Sequence, residues 1–581
     1  MILKKLTFSL LAGLFLFSFS STAASSTRYI AESIQVPFSY NEYTPAGFII
    51  DGTTGHKMPN ASYGKALDGK GEPIGIKLGT EGDVLELFRD TAEGETGHVV
   101  GTVQMPDRTL AVGSFVGKDG QPSRAKFYCL PEVGDEVAVG FQDAGGNRTQ
   151  ARSFKIVDTD GDSVPNLMVV AGASVNAGGR TVPVLWHGPI DGCQAPDQLV
   201  QLPLPDAFAG DLNAHGLASA VMGGAGAGLE IFGTVRTRQG DALVSWKRSA
   251  GGGVTSEVLA MSRRSVLQIN DSFVAPHEFG IVGTRFKDKT DAGPHPLAMQ
   301  RNALGEWEEI ILGWDGTSMA TPHFMNYTDD DLSTFLAGGT AFVEDRTFDD
   351  EVRGVLWKGI SGFAGSDEEI GALAMGRALD ASRIIQDDKG GFLVRDVVDF
   401  DPASGRLLAS VQTPQGSTGA AFLTPGNSLV PELLRNNLTG EVTDGPYSVW
   451  NQAADKFQSV PTRNAFGSFE QTIDLTAGFM DYSDDAVVAP GISVSGYATF
   501  PTSYASKGLS AEVYIYDYNI SEYLFVGSRP VPNGAFSFDI SGFPDVFSPP
   551  GGLLKCRIRI TAPERQKFEV RIDQFVFHTI D

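Results

Sequence analysis

The sequence predicts a mainly β protein: an irregular β-propeller of about five to seven blades followed by an antiparallel β-sandwich. Three observations carry this. The 581 residues include 69 glycines and 31 prolines with few helical periodicities, a composition of many short strands and turns. A weak unit recurs between about residues 45 and 430. Beyond Val488 apolar and polar residues alternate with period two.

The unit opens with a turn, rises to an apolar-x-Gly strand, crosses a polar loop and ends in an aromatic strand. Examples run from Pro73-Ile74-Gly75 to Phe88, from Ala111-Val112-Gly113 to Tyr128, and from Val170-Ala171-Gly172 to Trp186. Looser copies run from Ile231-Phe232-Gly233 to Trp246, from Ile281-Val282-Gly283 to Met299, and from Leu336-Ala337-Gly338 to Trp357. The glycines lie 38, 59, 61, 50 and 55 residues apart, long for the ~40–50 residues of a blade repeat. One such sheet cannot cover both of its faces, so stacking around an axis buries them. Ser366-Asp367-Glu368-Glu369-Ile370 forms a capping box, and Leu373, Leu379 and Ile384 follow at roughly helical spacing. These predict a short helix inserted between blades.

Near the end, Ala511-Glu512-Val513-Tyr514-Ile515-Tyr516 and Leu554-Lys555-Cys556-Arg557-Ile558-Arg559-Ile560 set one apolar face against one charged face. The predicted order is an export signal at 1–24, propeller-like repeats at 25–430, an irregular connecting region at 431–485 and the sandwich at 486–581. The signal is read from a basic Lys4-Lys5 head, an apolar run from Leu6 to Phe19 and the small exit Thr22-Ala23-Ala24. It implies secretion, to the extracellular surface or the periplasm, with no transmembrane segment in the mature chain.

A formal charge of −25 and the lack of a basic stripe disfavour nucleic acid. The three cysteines make no disulfide framework and leave one Cys129–Cys193 bridge open. No Cys-x-x-Cys pair exists, and the eight histidines show no metal-ligand spacing.

One stretch carries a metal signal. Asp158, Asp160, Asp162 and Asn166, with the carbonyl of Val164, offer oxygens at alternate positions of a tight loop, which suits Ca²⁺. Ser163 and Val169 stand where a helix-flanked calcium loop needs Gly and Glu. Asp158-Thr159-Asp160-Gly161-Asp162 followed by a strand instead resembles the calcium loop of FG-GAP (integrin-type) propeller repeats, and Asn166 in the last ligand place departs from that pattern. The wider repeat resembles secreted propeller units written Asn-x-x-Gly, Val-x-Gly, Ala-Phe-x-Trp. The C-terminal segment resembles the jelly-roll modules of secreted bacterial proteins, some of which bind carbohydrate. Tyr514, Tyr516, Tyr518 and Tyr523 are its candidate stacking platform, or half-buried strand residues.

Gly316-Thr317-Ser318-Met319-Ala320-Thr321-Pro322-His323 resembles the nucleophile motif of subtilisin-like serine proteases. The resemblance implies Ser318 as nucleophile, His215 as base and Asp158 as orienting acid. Against it stand the bulky, acidic residues after His323, the missing helical stripe and the competing calcium reading of Asp158. Glu306, Glu308, Glu309 and Asp315 beside Trp307 and Trp314 raise paired-carboxylate sugar chemistry as a further alternative. Asn60, Asn147, Asn270, Asn326, Asn437 and Asn519 head glycosylation sequons. The expectation is a non-catalytic, calcium-stabilised binding or surface-structural protein with an extracellular protein or glycan ligand. The alternatives are a subtilisin-like protease and a glycan-active propeller enzyme.

Overall fold

A computed structural model describes residues 27–34, 40–79, 84–89, 96–116, 123–224, 228–249, 251–263, 266–286, 294–310, 312–313, 319–327, 334–343 and 351–360. It further describes 376–382, 384–385, 393–412, 418–429, 433–439, 442–443, 455–464, 468–480, 491–501, 508–517, 520, 522–541, 553–563 and 567–578. The export signal and the capping box at 366–370 lie outside these residues.

The chain is mainly β. Among the described residues there is one short 3-10 turn, Asp206–Phe208, and no α-helix. No helix of the described residues is long and apolar enough to cross a membrane. The expected inserted helix is not seen where its residues are described: Leu379 falls in the strand Gly376–Asp380, and Ile384 is buried in a turn.

Consecutive four-stranded antiparallel groups follow one another along the chain. Sheet 1 spans Tyr40–Asp51, Lys57–Asp68, Pro73–Leu78 and Val84–Arg89, and sheet 2 spans Thr96–Gln104, Arg108–Val116, Arg124–Pro131 and Val137–Gly140. A short parallel pairing at Ile50–Val103 joins the two. Sheet 3 comprises Gly145–Val157, Leu167–Asn176, Thr181–Pro189 and Gln198–Gln201. Sheet 4 comprises His215–Gly224, Gly228–Thr237, Gly240–Arg248 and Val254–Ser262. Sheet 5 comprises Val266–Val274, Phe279–Phe286, Pro294–Arg301 and Trp307–Ile310. Sheet 6 holds Met319–Tyr327, Thr334–Val343, Glu351–Ile360 and Gly376–Asp380, with Leu312–Gly313 at its edge. Group 7 is Leu393–Asp401, Arg406–Gln412 and Thr418–Leu429, completed by the N-terminal strand Thr27–Ser33. The first strand of each group packs against the first strand of the next, and Leu393–Asp401 packs against Tyr40–Asp51.

Five of the six glycines of the repeat unit, Gly113, Gly172, Gly233, Gly283 and Gly338, fall on the second strand of consecutive sheets, while Gly75 falls on the third strand of sheet 1. Their reason is local. A Cβ on Gly172 would stand 2.9 Å from the Trp186 ring, and one on Gly233 would stand 2.9 Å from the Trp246 ring. The glycine therefore vacates the space that the tryptophan of the third strand fills. Trp186, Trp246 and Trp357 are fully buried, and trimming such a ring to alanine costs about 3–5 kcal/mol. Cys129 of sheet 2 and Cys193, beyond the third strand of sheet 3, form a disulfide that ties the two sheets together.

Two further sheets face each other beyond residue 430 and enclose an apolar cluster that includes Ile492, Val494, Val513, Ile558, Ile560 and Phe577. One of them continues group 7, because Ser428 and Leu429 pair with His578 and Phe577. The region 431–485, expected to connect, instead supplies strands: Leu433–Asn436 and Val460–Arg463 both pair with Phe469–Met480, which pairs with Leu553–Pro563. Its polar composition hid this because one face of these strands carries charged and hydroxyl side chains.

Candidate functional site

The first strands of the seven groups share one irregularity. Their register to the second strand slips at Ala46, Val100, Arg152, Ser219, Asn270, His323 and Val398. A bulge adds one residue against its partner strand and re-aims that side chain. All seven residues line a single cavity of about 540 Å³ between the sheets. The bulge also drives a carbonyl toward the second-strand glycine: a Cβ at Gly172, Gly233 or Gly283 would lie 2.0–2.1 Å from the oxygen of Gln150, Leu217 or Gln268. Glycine and bulge are thus one device, and its outcome is a polar arc of Arg152, Ser219, Asn270 and His323.

Most polar groups around the cavity are paired. Lys57 donates to Asp399 and to the Phe400 carbonyl, and Asp399 also accepts from the Phe48 N–H at 3.0 Å. Lys155 lies 3.6 Å from Asp271; that carboxylate raises its pKa against an opposing burial effect, with Asp399 adding to the rise. Asn270 donates to Thr284 Oγ1 and to the Pro322 carbonyl. His323 Nε2 lies 3.0 Å from Asp396. Burial lowers the pKa of that imidazole, but the Asp396 charge and hydrogen bond outweigh it and the net shift is upward.

Arg152 is different. No carboxylate among the described residues pairs with it, and desolvation lowers its pKa. Nearby stand Lys65 and His98, also without an acid partner among the described residues. Desolvation first, then the charges of Arg152 and Lys65, hold the His98 imidazole below its ordinary value. Tyr63 and Lys65 lie two residues apart on one face of Lys57–Asp68, and His98 stands just before the bulge at Val100 on Thr96–Gln104. Tyr63 crosses to the second sheet and donates to the Val100 carbonyl at 3.2 Å. Burial, then Asp399 and Asp271, raise its pKa far beyond neutrality, so the phenol keeps its proton. In a chain of net charge −25, Arg152 thus lines the cavity without a carboxylate partner among the described residues, with Lys65 and His98 within electrostatic reach of each other and of it.

None of these cavity residues was anticipated as a site. Bulges leave no periodic mark, and the basic residues stand on three strands far apart in sequence. The glycines opposite the bulges were the one legible trace.

The acidic loop is formed as a turn. Asp158 accepts from the N–H groups of Asp160, Gly161 and Ser163, which lower its pKa, the Gly161 bond foremost. Ser163 adopts φ +69° and Gly161 φ +85°. Oxygens of Asp158, Asp160 and Asp162 lie within 4.8 Å of one another, a donor set that fits a hard cation. Asn166 does not join them: its Oδ1 accepts from the Thr159 N–H and hydroxyl. The Val164 N–H donates to Asp162.

The protease alternative does not assemble. Ser318 lies outside the described residues, but Met319–Tyr327, expected to follow the nucleophile as a helix, is a strand. A Cβ on Gly223 would touch Val157 at 2.7 Å, so Asp158 sits beside the far end of the strand His215–Gly224. His215 opens that strand, roughly 25 Å away at the usual rise, and its Nδ1 lies 3.1 Å from the Asn213 carbonyl. The carboxylate pairing around Trp307 is not built either: Arg285 binds Glu309 and Gln300 donates to Glu308. Asp315 and Trp314 lie outside the described residues. In the C-terminal sheets Lys555 lies over the ring of Tyr516 and Arg557 over that of Tyr523, so the tyrosines serve the sheet's own packing. Tyr518 lies outside the described residues.

No family model matches the chain, and no curated protein matches it. Among solved structures it is similar to an ulvan lyase of polysaccharide lyase family PL25, with 9% identity, a TM-score of 0.39, and coverage of 67% of this chain and 95% of that one. The same lyase bound to -[GlcA(1-4)Rha3S]- gives 9% identity and 0.39, covering 68% and 96%. A family 29 carbohydrate-binding module gives 8% identity and 0.15, covering 26% and 90%. Likenesses this weak say nothing about what this chain binds.

Proposed function

We propose that the seven groups form an irregular β-propeller closed by the strand Thr27–Ser33, with a β-sandwich behind it, and that the axial cavity acts on an acidic polysaccharide. The packing of each first strand on the next, and of the seventh on the first, supports the ring. The single observation that carries the function is Arg152, which lines the cavity with Tyr63, has no carboxylate partner among the described residues and lies within electrostatic reach of His98.

The chemistry this set supports is β-elimination at a uronate. Arg152 and Lys65 neutralise the carboxylate, which acidifies the proton on the adjacent carbon. His98, kept neutral by its surroundings, takes that proton. The electron pair forms the new C=C bond as the glycosidic C–O bond breaks, and the Tyr63 hydroxyl delivers a proton to the departing oxygen. No water is consumed.

A second reading keeps the site as a binder only, in a protein rigidified by Ca²⁺ at Asp158, Asp160 and Asp162, whose clustered oxygens favour it. Incubation with a panel of uronate-containing polysaccharides, followed by ultraviolet absorbance of the unsaturated product, separates the two. Absorbance that grows in the native chain and is lost in Arg152→Ala supports elimination. Binding without absorbance supports the second reading, and neither one sinks the acidic-glycan assignment.

A further inference from the structure

A second cluster of uncompensated arginine lies far along the chain, at one end of the C-terminal sheet that contains Phe469–Met480, Leu509–Asp517, Glu522–Val531 and Leu553–Pro563. A cleft of about 660 Å³ opens there, walled by Phe469, Ser510, Arg529 and Thr561 among others. Phe469 is 41% exposed at the cleft wall. The guanidinium of Arg463, directly opposite it in register, lies 4.8 Å from the ring centroid.

The arginines of this sheet divide into two kinds. Arg557 is gripped by Asp474, and Arg559 reaches Glu470 at 3.4 Å. Arg463 and Arg529 have no carboxylate partner among the described residues, and Arg529 meets only the carbonyl of its neighbour Ser528, at 2.9 Å. In so acidic a chain, two guanidinium forks without a carboxylate among the described residues, one of them stacked on a partly exposed ring, forgo ion pairs that the composition could readily supply.

We infer that this cleft is a binding site for an acidic sugar residue of a glycan chain, separate from the axial cavity. The ring of Phe469 offers an apolar face to the C–H face of a pyranose. Arg529 and Arg463 present planar forks that match a carboxylate or a sulfate. Ser510 and Thr561 line the same cleft and add hydroxyl partners for sugar oxygens. Among the described residues of the cleft, the carboxylate of Glu470 is held by Arg559, so the site is assigned to holding polymer.

The test uses the full chain carrying Arg152→Ala, so that binding at the axial cavity is weakened. It is titrated calorimetrically with an oligogalacturonate, a sulfated dextran oligomer and neutral dextran. Binding of a charged probe over the neutral one, reduced about tenfold or more by added Arg529→Ala or Arg463→Ala, is expected. Phe469→Leu serves as a milder variant of the ring, and thermal melting of each variant verifies folding. The stronger charged probe identifies the group as carboxylate or sulfate. Unchanged affinity in folded Arg529→Ala, equal affinity for neutral dextran, or no binding in the Arg152→Ala background each overturns the site.

Discussion

The phenol of Tyr63 lies across Gly47, so close that a Cβ at position 47 would stand 2.7 Å from its hydroxyl. The glycine is on the first strand of sheet 1, and the hydroxyl ends on the Val100 carbonyl of sheet 2. One missing methyl group therefore lets a second-strand tyrosine reach the cavity wall.

Gly47→Ala is expected to displace the ring and to cost roughly 1–3 kcal/mol of stability, the usual penalty for overpacking. Turnover on a uronate polymer should fall as far as in Tyr63→Phe, since both remove the same hydroxyl from its place. Denaturant melts together with initial rates check this. A Gly47→Ala chain with native rates would show that Tyr63 plays no part.

Elimination needs His98 neutral, and its pKa is held below the ordinary imidazole value. The rate should therefore stay high down to a pH below that value, then fall as the ring takes up a proton. His98→Gln should remove this acid limb along with most of the rate. Neutralising Lys65 as Lys65→Met relieves one repulsion, lets His98 protonate more easily and should move the limb to higher pH. A pH–rate profile of the three chains reads all of this. A limb that stays put in Lys65→Met would separate His98 from the cluster.

For the acidic loop, added Ca²⁺ should raise the melting midpoint and EGTA should reverse it. Ligand at a hundredfold over its dissociation constant adds about 2.7 kcal/mol. The double change Asp160→Asn with Asp162→Asn leaves the Asp158 turn bonds in place and should abolish the response. An EGTA-insensitive midpoint in the native chain would remove the metal.

The Cys129–Cys193 bridge closes a loop with a sequence separation of 64. On the chain-entropy model that closure contributes about 4 kcal/mol. Replacing both cysteines with serine should lower stability by that order, seen as a shift of the unfolding midpoint under non-reducing conditions. Cys556 is buried, and its thiol is expected to stay unreactive until the chain unfolds.

How much of this was legible can be traced residue by residue. Gly113, Gly172, Gly233, Gly283 and Gly338 marked five second strands and Gly75 the third strand of its sheet; Gly172 and Gly233 recur with the tryptophan that occupies the missing side chain, whereas a Cβ on Gly283 would meet the backbone of Gln268 and Ile269. Alternation placed Val513, Ile515, Ile558 and Ile560 on one buried face for the same local reason. The strands of 433–480 were missed, since buried polar residues such as Asp474 and Thr476 read as loop until Arg557 and Asn437 are seen to satisfy them. The Ser318 octapeptide, kept in the sequence reading only as an alternative, shows a different limit: a short match names residue types but not the distance between Asp158 and His215.

The sequence by itself determined a mainly β chain, the beat of its repeats, its acidic charge and the Asp158 loop, all of them properties of neighbours within a few residues. Only the tertiary structure decided that Arg152 comes within electrostatic reach of His98, that Cys129 meets Cys193, and that Arg463 and Arg529 have no carboxylate partner among the described residues. Those facts depend on strand register and on bulges that redirect single side chains, and register is fixed by contacts between residues that lie tens to hundreds of positions apart.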